Sequence, residues 1–217
     1  MGYTDHGPTH VKIVANSALK LLRILVKSGV VPNVVKDYNL TNEDAEIIVV
    51  LASVFHDLGM IVTRERHEEY SVSLAFHFLR RHLPKVYSEE ESAVISSEVA
   101  HALLSHHPEQ RVLTVEAGIV RIADALDMEQ GRARIPFQAG KVDIHAVSAL
   151  SIEKVEIVEG RDKPVVIRIR MSNSAGIFQI DELLKARIVG SGLEKYVHVE
   201  AEIVGEKERK IIEKFEI

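Results

Sequence analysis

Apolar residues recur at helical spacing through the first two thirds of the chain. Between His10 and about Ser28 they lie three and four positions apart, which predicts an amphipathic helix that Gly29 and Pro32 end. The same spacing recurs behind residues that commonly cap helices, and it predicts further helices there. These helices start after Thr41 and cover about Glu68–Leu83, Ser88–Ser105 and Thr114–Met128.

The segment after Thr41 differs from the other helices because it is apolar on all sides. Its run Ile47–Phe55 is interrupted only by Ser53, a pattern typical of a helix buried in the centre of a protein. The run is too short to span a bilayer. It leads directly into His56-Asp57, so two residue types that bind metals follow a predicted buried helix.

The pattern changes near residue 150, where segments rich in Val and Ile predict strands. A helix is predicted over Ile180–Ile188, and another over Lys207–Phe215. The predicted fold is mainly α: a helical domain over residues 1–148, then a small α+β domain of unknown role over 149–217. A small sheet often needs another surface to cover it, and the predicted strands could therefore also form a homodimer interface. The predicted strands are Lys154–Val158, Pro164–Met171 and Tyr196–Val204.

Composition narrows the chemistry. The 217 residues include no cysteine and 11 histidines, so any metal must be held by His, Asp or Glu. The formal net charge of −5 carries no strong signal for nucleic-acid binding. The N-terminus lacks a basic segment followed by an apolar one, so we expect a cytoplasmic protein without a membrane anchor.

Two carboxylates stand out because they lie in apolar surroundings. Asp57 ends the apolar helix, and Asp124 lies inside Val120-Arg121-Ile122-Ala123-Asp124. Burying a bare carboxylate is costly unless a cation or hydrogen bonds compensate it. The alternative for Asp57 is a cap on a neighbouring helix beside a core histidine. Asp127, one turn after Asp124, is interpreted as an exposed residue near the helix end.

The order His10, His56-Asp57, Asp124 resembles the H…HD…D pattern of the HD superfamily of metal-dependent phosphohydrolases, over roughly residues 5–130. The resemblance implies an HD-type helical bundle in which these four residues hold a divalent metal. Some members hold a second ion through additional histidines, with the HD aspartate bridging. His67 and His106 match those histidines, and His107 is the alternative to His106.

The segment His6-Gly7-Pro8-Thr9-His10 also resembles the start of cyclic-nucleotide phosphodiesterase domains. That resemblance implies that His6 donates a proton to the leaving group, with Asp57 as the second catalytic residue. Many HD-type phosphodiesterases carry a lysine where Met60 stands, and the GYP loop of cyclic-di-GMP hydrolases is missing after His106. Cyclic di-GMP is therefore a poor candidate substrate.

The implied reaction is hydrolysis of a nucleotide or another small phosphate ester by a metal-activated water. His and Asp ligands suit Fe, Mn, Zn, Co or Ni better than Ca, and we prefer Fe or Mn for a site of one or two ions. A phosphate also needs cations, and arginine binds it in a bidentate manner. The predicted phosphate-binding residues are Arg64, Arg66, Arg132 and Arg134, although any one of them could be an ordinary surface charge.

Two alternative functions stay open. Some HD-type proteins use a mixed-valent di-iron centre as an oxygenase. The C-terminal domain, to which the resemblance assigns no role, also suits a non-catalytic nucleotide-sensing protein. Oxygen consumption would favour the first alternative, and turnover of a phosphate ester would count against the second.

Overall fold

The computed structural model describes residues 6–129 and 148–204, together with the backbone of 214–216. The N-terminal part is helical, as the sequence predicts. A short helix, α2, follows α1; it has only six residues, too few to show a clear periodicity. The helices of this part are α1 (Pro8–Lys27), α2 (Asn33–Tyr38), α3 (Asn42–Phe55), α4 (His67–His82), α5 (Glu89–Ser105) and α6 (Val115–Ala125).

Local capping explains where these helices begin. Thr41 and Ser88 each form a reciprocal capping box with the acidic residue three positions later, at the start of α3 and α5. At α1, proline occupies the first helical position, where its missing N–H costs nothing. His6 therefore precedes the helix and His10 lies in its first turn.

Helix α3 is central but not buried on all sides. It packs against α1, α5 and α6, and Ile48 and Val49 are fully buried. Ile47 and Val54 face solvent, with 37% and 40% of their surface exposed. The helix is central, as predicted, but the bundle leaves the side that carries Ile47 and Val54 open to solvent.

The C-terminal part is a four-stranded sheet in the order β1-β2-β3-β4. Strands β2 and β3 are parallel, and the other two pairs are antiparallel. Between β2 and β3 a π-helical turn, Gln179–Leu184, continues into α7, Lys185–Ile188. This confirms the predicted strands and the helix between them. The strands are β1 (Ile152–Glu159), β2 (Val165–Met171), β3 (Val197–Ile203) and β4 (Lys214–Glu216).

The predicted helix over Lys207–Phe215 is wrong where the structure describes it. Residues 214–216 form β4, because their backbone pairs with β3. Residues 205–213 lie outside the described part of the chain. A helical pattern in so short a segment is overridden by an available strand edge.

The two parts of the chain pack against each other. Strands β1 and β2 contact α1, α7 contacts α6, and one hydrophobic cluster runs through both parts. The predicted division at residue 148 comes directly after the undescribed residues 130–147, and it stays a prediction. Within the described residues, no helix is long and apolar enough to cross a membrane.

Candidate metal centre

Five helices bring histidine and aspartate side chains to one place. Each contributes from an end or a last turn, where a ring or a carboxylate can point along the bundle. The residues are His10 at the start of α1, His56-Asp57 after α3, His67 at the start of α4, His106 after α5 and Asp124 in the last turn of α6.

The first set of possible ligands is His10, His56 and Asp124, whose donor atoms all lie within 4.8 Å of one another. The Nε2 atoms of His10 and His56 are 3.1 Å apart. Asp124 Oδ1 lies 3.4 Å from His10 Nε2 and 3.5 Å from His56 Nε2. The three donors therefore face a common point in the interior.

Asp57 joins this set to a second one. Its Oδ2 lies 3.1 Å from His56 Nε2, and its Oδ1 lies 3.2 Å from His67 Nε2. Asp57, His67 and His106 form a further group of donors within 4.8 Å of one another. One carboxylate thus presents one oxygen to each set, as a residue bridging two ions would.

Partners on the far side of each ring fix which nitrogen faces the centre. A carbonyl oxygen can only accept a hydrogen bond, so a ring Nδ1 beside a carbonyl oxygen must carry the proton and donate it. In the neutral ring, Nε2 then carries a lone pair that can bind a metal. Metal-binding histidines are commonly oriented in this way. The carbonyl acceptors are Ser53 for His56 at 2.8 Å, Leu103 for His106 at 2.6 Å and Arg64 for His67 at 3.0 Å.

The corresponding partner of His10 is Asp127, which corrects its interpretation as an exposed residue. Only 6% of Asp127 is exposed, and its Oδ2 lies 2.6 Å from His10 Nδ1. The sequence showed that Asp127 shares a face with Asp124, but not that α1 lies against that face. This arrangement is the carboxylate–histidine pair that supports many metal ligands.

The arrangement of charges fits a bound cation. Burial by itself would raise the pKa of Asp57, but contacts with His10 and His56 hold that pKa far below its ordinary value. Burial lowers the pKa of His56, yet the carboxylates of Asp124 and Asp57 outweigh it and raise the pKa to about 9. Both aspartates are therefore ionised in the interior, which needs nearby positive charge.

The second set of donors, Asp57, His67 and His106, also fits a bound cation. Burial lowers the pKa of His106 to about 3, so the ring is neutral. His67 Nε2 is buried without a hydrogen-bond donor or acceptor among the described residues, although it faces Asp57 Oδ1. Ring nitrogens and carboxylate oxygens without sulfur fit a divalent transition metal such as Fe, Mn, Zn, Co or Ni.

Gly59 and Ser71 hold α4 against the turn that carries His56-Asp57. Ser71 Oγ donates to the His56 carbonyl at 2.7 Å and accepts from Gly59 N at 2.8 Å. A Cβ at Gly59 would collide with the carbonyl oxygen of His67 and lie 2.8 Å from Ser71 N. The glycine therefore allows the approach that places His67 beside Asp57.

His6 lies at the edge of the centre. Its Nδ1 is 2.7 Å from Asp57 Oδ2, and 26% of its side chain is exposed. His10 and Asp57 form a third group of close donors with it. The structure thus places His6 between solvent and the central carboxylate.

The structure does not bring every predicted residue to the centre. The ring of His107 belongs to none of the donor groups found among the described residues, and its carbonyl accepts from Arg121. Arg64 is exposed, and Arg66 is paired with Glu69 at 2.6 Å with 74% of its side chain exposed. Arg132 and Arg134 lie outside the described residues.

Sequence reasoning missed Arg187, which reaches the centre from α7. Its Nη1 donates to the carbonyl oxygen of His106 and lies 3.5 Å from Asp124 Oδ2. No local signal marks it, because its sequence surroundings are those of an ordinary helix surface. Only the packing of α7 on α6 reveals its position.

A helical bundle with a buried centre of His and Asp donors defines a class of metal-binding proteins, and comparison with known proteins gives the family. The HD domain model matches residues 9–129, more than half of the chain. The chain is also 46% identical over all 217 residues to the uncharacterized protein MJ1020 of Methanocaldococcus jannaschii, and it covers 83% of that protein. The chain belongs to the HD domain family.

Proposed function

We propose that this protein is a metal-dependent phosphohydrolase or phosphodiesterase that hydrolyses a nucleotide or another small phosphate ester. The observation that carries the proposal is Asp57, which presents one carboxylate oxygen to each of two sets of donors. Membership of the HD domain family supports it. Two ions held about 3.5–4 Å apart are a common arrangement for displacement at phosphorus.

The proposed ligands divide into two sets. His10, His56 and Asp124 would hold one ion, and His67 and His106 the other, with Asp57 shared. When bound, such ions lower the pKa of water and stabilise charge on phosphoryl oxygens. We prefer Fe or Mn, and Zn, Co and Ni suit the same donors.

His6 is the proposed proton donor to the leaving group. A general acid needs a titratable group near the reacting atoms and a route for proton exchange. His6 meets both needs, because Nδ1 contacts Asp57 and a quarter of the side chain reaches solvent. The contact with Asp57 would keep the imidazole oriented.

A cleft lies behind His10, on the side of the ring that faces Asp127 and away from the other proposed ligands. It has a volume of about 590 Å³, opens between α1 and β1, and reaches His10 and Asp127. Its walls carry Glu129 and Glu156 as well as Lys20, and of the proposed ligands only His10 lines it, so it is a poor candidate for binding the substrate phosphate.

The test combines metal analysis with a substrate screen. The protein is loaded with Mn or Fe, its metal content is measured by mass spectrometry, and it is assayed with nucleotides and with nitrophenyl mono- and diesters. We expect up to two ions per chain and hydrolysis that Asp57→Ala abolishes together with metal binding. Full activity in that variant would refute the site. Oxygen consumption without phosphatase activity would favour the oxygenase alternative.

A further inference from the structure

The C-terminal part of the chain brings a guanidinium group to the metal centre. Arg187 Nη1 contacts a residue from each set of donors: the carbonyl oxygen of His106 and, at 3.5 Å, the carboxylate of Asp124. The Arg187 side chain is 22% exposed, so it is neither a surface charge nor sealed in the core. The Arg187 guanidinium, a positively charged group, thus lies between solvent and the proposed metal ligands.

The position of Arg187 is fixed by close packing of α7 and the loop after it on α6. At Gly118, on α6, a Cβ would collide with the carbonyl oxygen of Ser191 and come within 3.3 Å of Leu193. The absence of a side chain at Gly118 therefore allows the loop to approach α6 directly. This contact places the end of α7 against α6.

The side chain of a buried arginine, Arg121, binds the same loop after α7. Its Nη1 donates to the carbonyl oxygen of Gly190 at 3.0 Å, and its Nη2 donates to that of Gln110 at 2.9 Å. Only 1% of Arg121 is exposed. It therefore links the loop after α7 to the loop after α5, next to His106, and so fixes the end of the helix that carries Arg187.

The chemistry of Arg187 suits a phosphate. A guanidinium has five N–H donors in a planar fork that matches the oxygens of a phosphate. Both contacts of Arg187 within the described part of the chain use Nη1, which leaves Nε and Nη2 to bind a ligand. Arg66, by contrast, is already paired with Glu69 on the surface.

We propose that Arg187 binds the non-bridging oxygens of the substrate phosphate, so that the C-terminal part completes the active site of the helical bundle. This rests on the proposed phosphohydrolase function. It gives the C-terminal part a role: to carry a phosphate-binding residue to ligands on α5 and α6. The rival account is that Arg187 only neutralises Asp124.

The test uses the Mn-loaded 217-residue protein, with inorganic phosphate as the probe. We compare Arg187→Gln, Arg187→Lys and the control Arg168→Gln by calorimetric titration with phosphate, metal analysis and steady-state kinetics. Arg168 is a control from the same C-terminal part of the chain, because it pairs with Glu200 on the surface of the sheet and is 56% exposed. Arg187→Lys keeps the positive charge but lacks the planar fork, so it separates loss of the fork from loss of the charge.

We expect Arg187→Gln to bind phosphate roughly 10-fold or more weakly, about the 1.4 kcal/mol of one charge-assisted hydrogen bond. The kcat/KM for nitrophenyl phosphate should fall on the order of 100-fold, with metal content unchanged. The phosphate affinity and kcat/KM of Arg187→Lys should lie between those of Arg187→Gln and the wild type. Those of Arg168→Gln should match the wild type.

Three outcomes would overturn the proposal: unchanged phosphate affinity in Arg187→Gln, loss of metal in step with loss of affinity, or no phosphate binding by the wild-type protein. The second outcome would show that Arg187 only supports Asp124. Phosphate binding that depends on Arg187, without turnover of any ester, would instead keep this proposal and refute the hydrolase. Turnover of an ester by the wild type, together with unchanged phosphate affinity in Arg187→Gln, would instead keep the hydrolase and refute this proposal.

Discussion

The buried carboxylates of two regions of this protein behave in opposite ways. Asp57 and Asp124 in the metal centre and Glu98 in α5 are almost equally buried, with 8%, 9% and 8% of their surface exposed. Despite their burial, histidine contacts hold the pKa values of Asp57 and Asp124 well below the ordinary range. Burial, followed by the charge of Glu116, raises the pKa of Glu98 to about 7.

The difference lies in the neighbours. Glu116 uses its carboxylate to accept hydrogen bonds from the backbone of Asn33 and Val34 at the start of α2, and it repels a second charge beside it. Glu98 Oε2 has no partner among the described residues. Burial alone therefore does not make a metal site; the surrounding imidazoles keep a carboxylate charged for a cation.

The largest effect should come from Asp124→Asn, which removes the charge and keeps the size. We expect loss of the ion held with His10 and His56. Loss of a residue that only supports a metal ligand can lower activity roughly 100-fold. Loss of Asp124, a proposed ligand, should lower the rate of hydrolysis by more than that. Metal analysis and nitrophenyl ester assays measure both. Glu98→Gln is the matched control, and equal metal loss in the two variants would contradict the comparison.

Gly59→Ala should separate the two sets of ligands. The added Cβ collides with the backbone of α4, so we expect His67 to move away from Asp57. Overpacking of this kind costs about 1–3 kcal/mol. Metal content should fall to one ion per chain, and urea unfolding should show the lower stability.

Gly29→Ala is the control for this change. Gly29 has a φ of +92° and nothing within 4 Å of an added Cβ, so its substitution introduces backbone strain without a collision. It should leave the metal content intact. Two ions in Gly59→Ala would show that the second set tolerates movement of α4.

Asp127→Asn should weaken the centre without removing a ligand. Asparagine can still accept from His10 Nδ1, but it lacks the charge that makes the imidazole a stronger donor to a metal. We expect metal affinity to fall roughly 10–100-fold. Competition with a chelator measures this, and Asp162→Asn, in an exposed turn, is the control. Equal affinities in these two variants would rule out a supporting role for Asp127.

The smallest effect concerns Glu98→Gln, which should change stability but not metal binding. Unfolded glutamate releases its proton near its ordinary pKa of 4.5, whereas folded Glu98 keeps it until about 7. The stability of the wild-type protein should therefore fall as pH rises between these values. At pH 8 we expect the variant to be more stable by roughly 1–3 kcal/mol.

Urea unfolding of wild type and variant at pH 5 and pH 8 checks this expectation. The gain in the variant should be larger at pH 8 than at pH 5. An equal difference at both values would mean that Glu98 does not titrate in this range.

Local patterns were sufficient for most of the fold. The N-cap at Thr41, the capping box at Ser88 and the apolar spacing located the long helices, because a helix depends on neighbours three and four residues away. Segments rich in Val and Ile located three strands. The prediction for the last segment failed, because the pairing of 214–216 with β3, in which Lys214 lies opposite Glu202, depends on contacts beyond the three or four residues that set helix spacing.

The metal centre was less accessible to sequence reasoning. The order of His10, His56-Asp57 and Asp124 indicated the proposed ligands. Asp127 was misinterpreted because its contact is with α1, more than 100 residues earlier. Arg187 carried no signal, because it depends on the docking of α7.

The sequence by itself determined which residue types are available and which helix end each one occupies. It also showed that any metal must be bound through nitrogen and oxygen, since the chain has no cysteine. Only the tertiary structure decided which ring nitrogen faces the centre and how Asp57 divides its two oxygens. It alone also brought Arg187 to these ligands. The physical reason is range: helix spacing acts over a few residues, whereas a metal centre needs side chains from distant segments placed within a few ångströms.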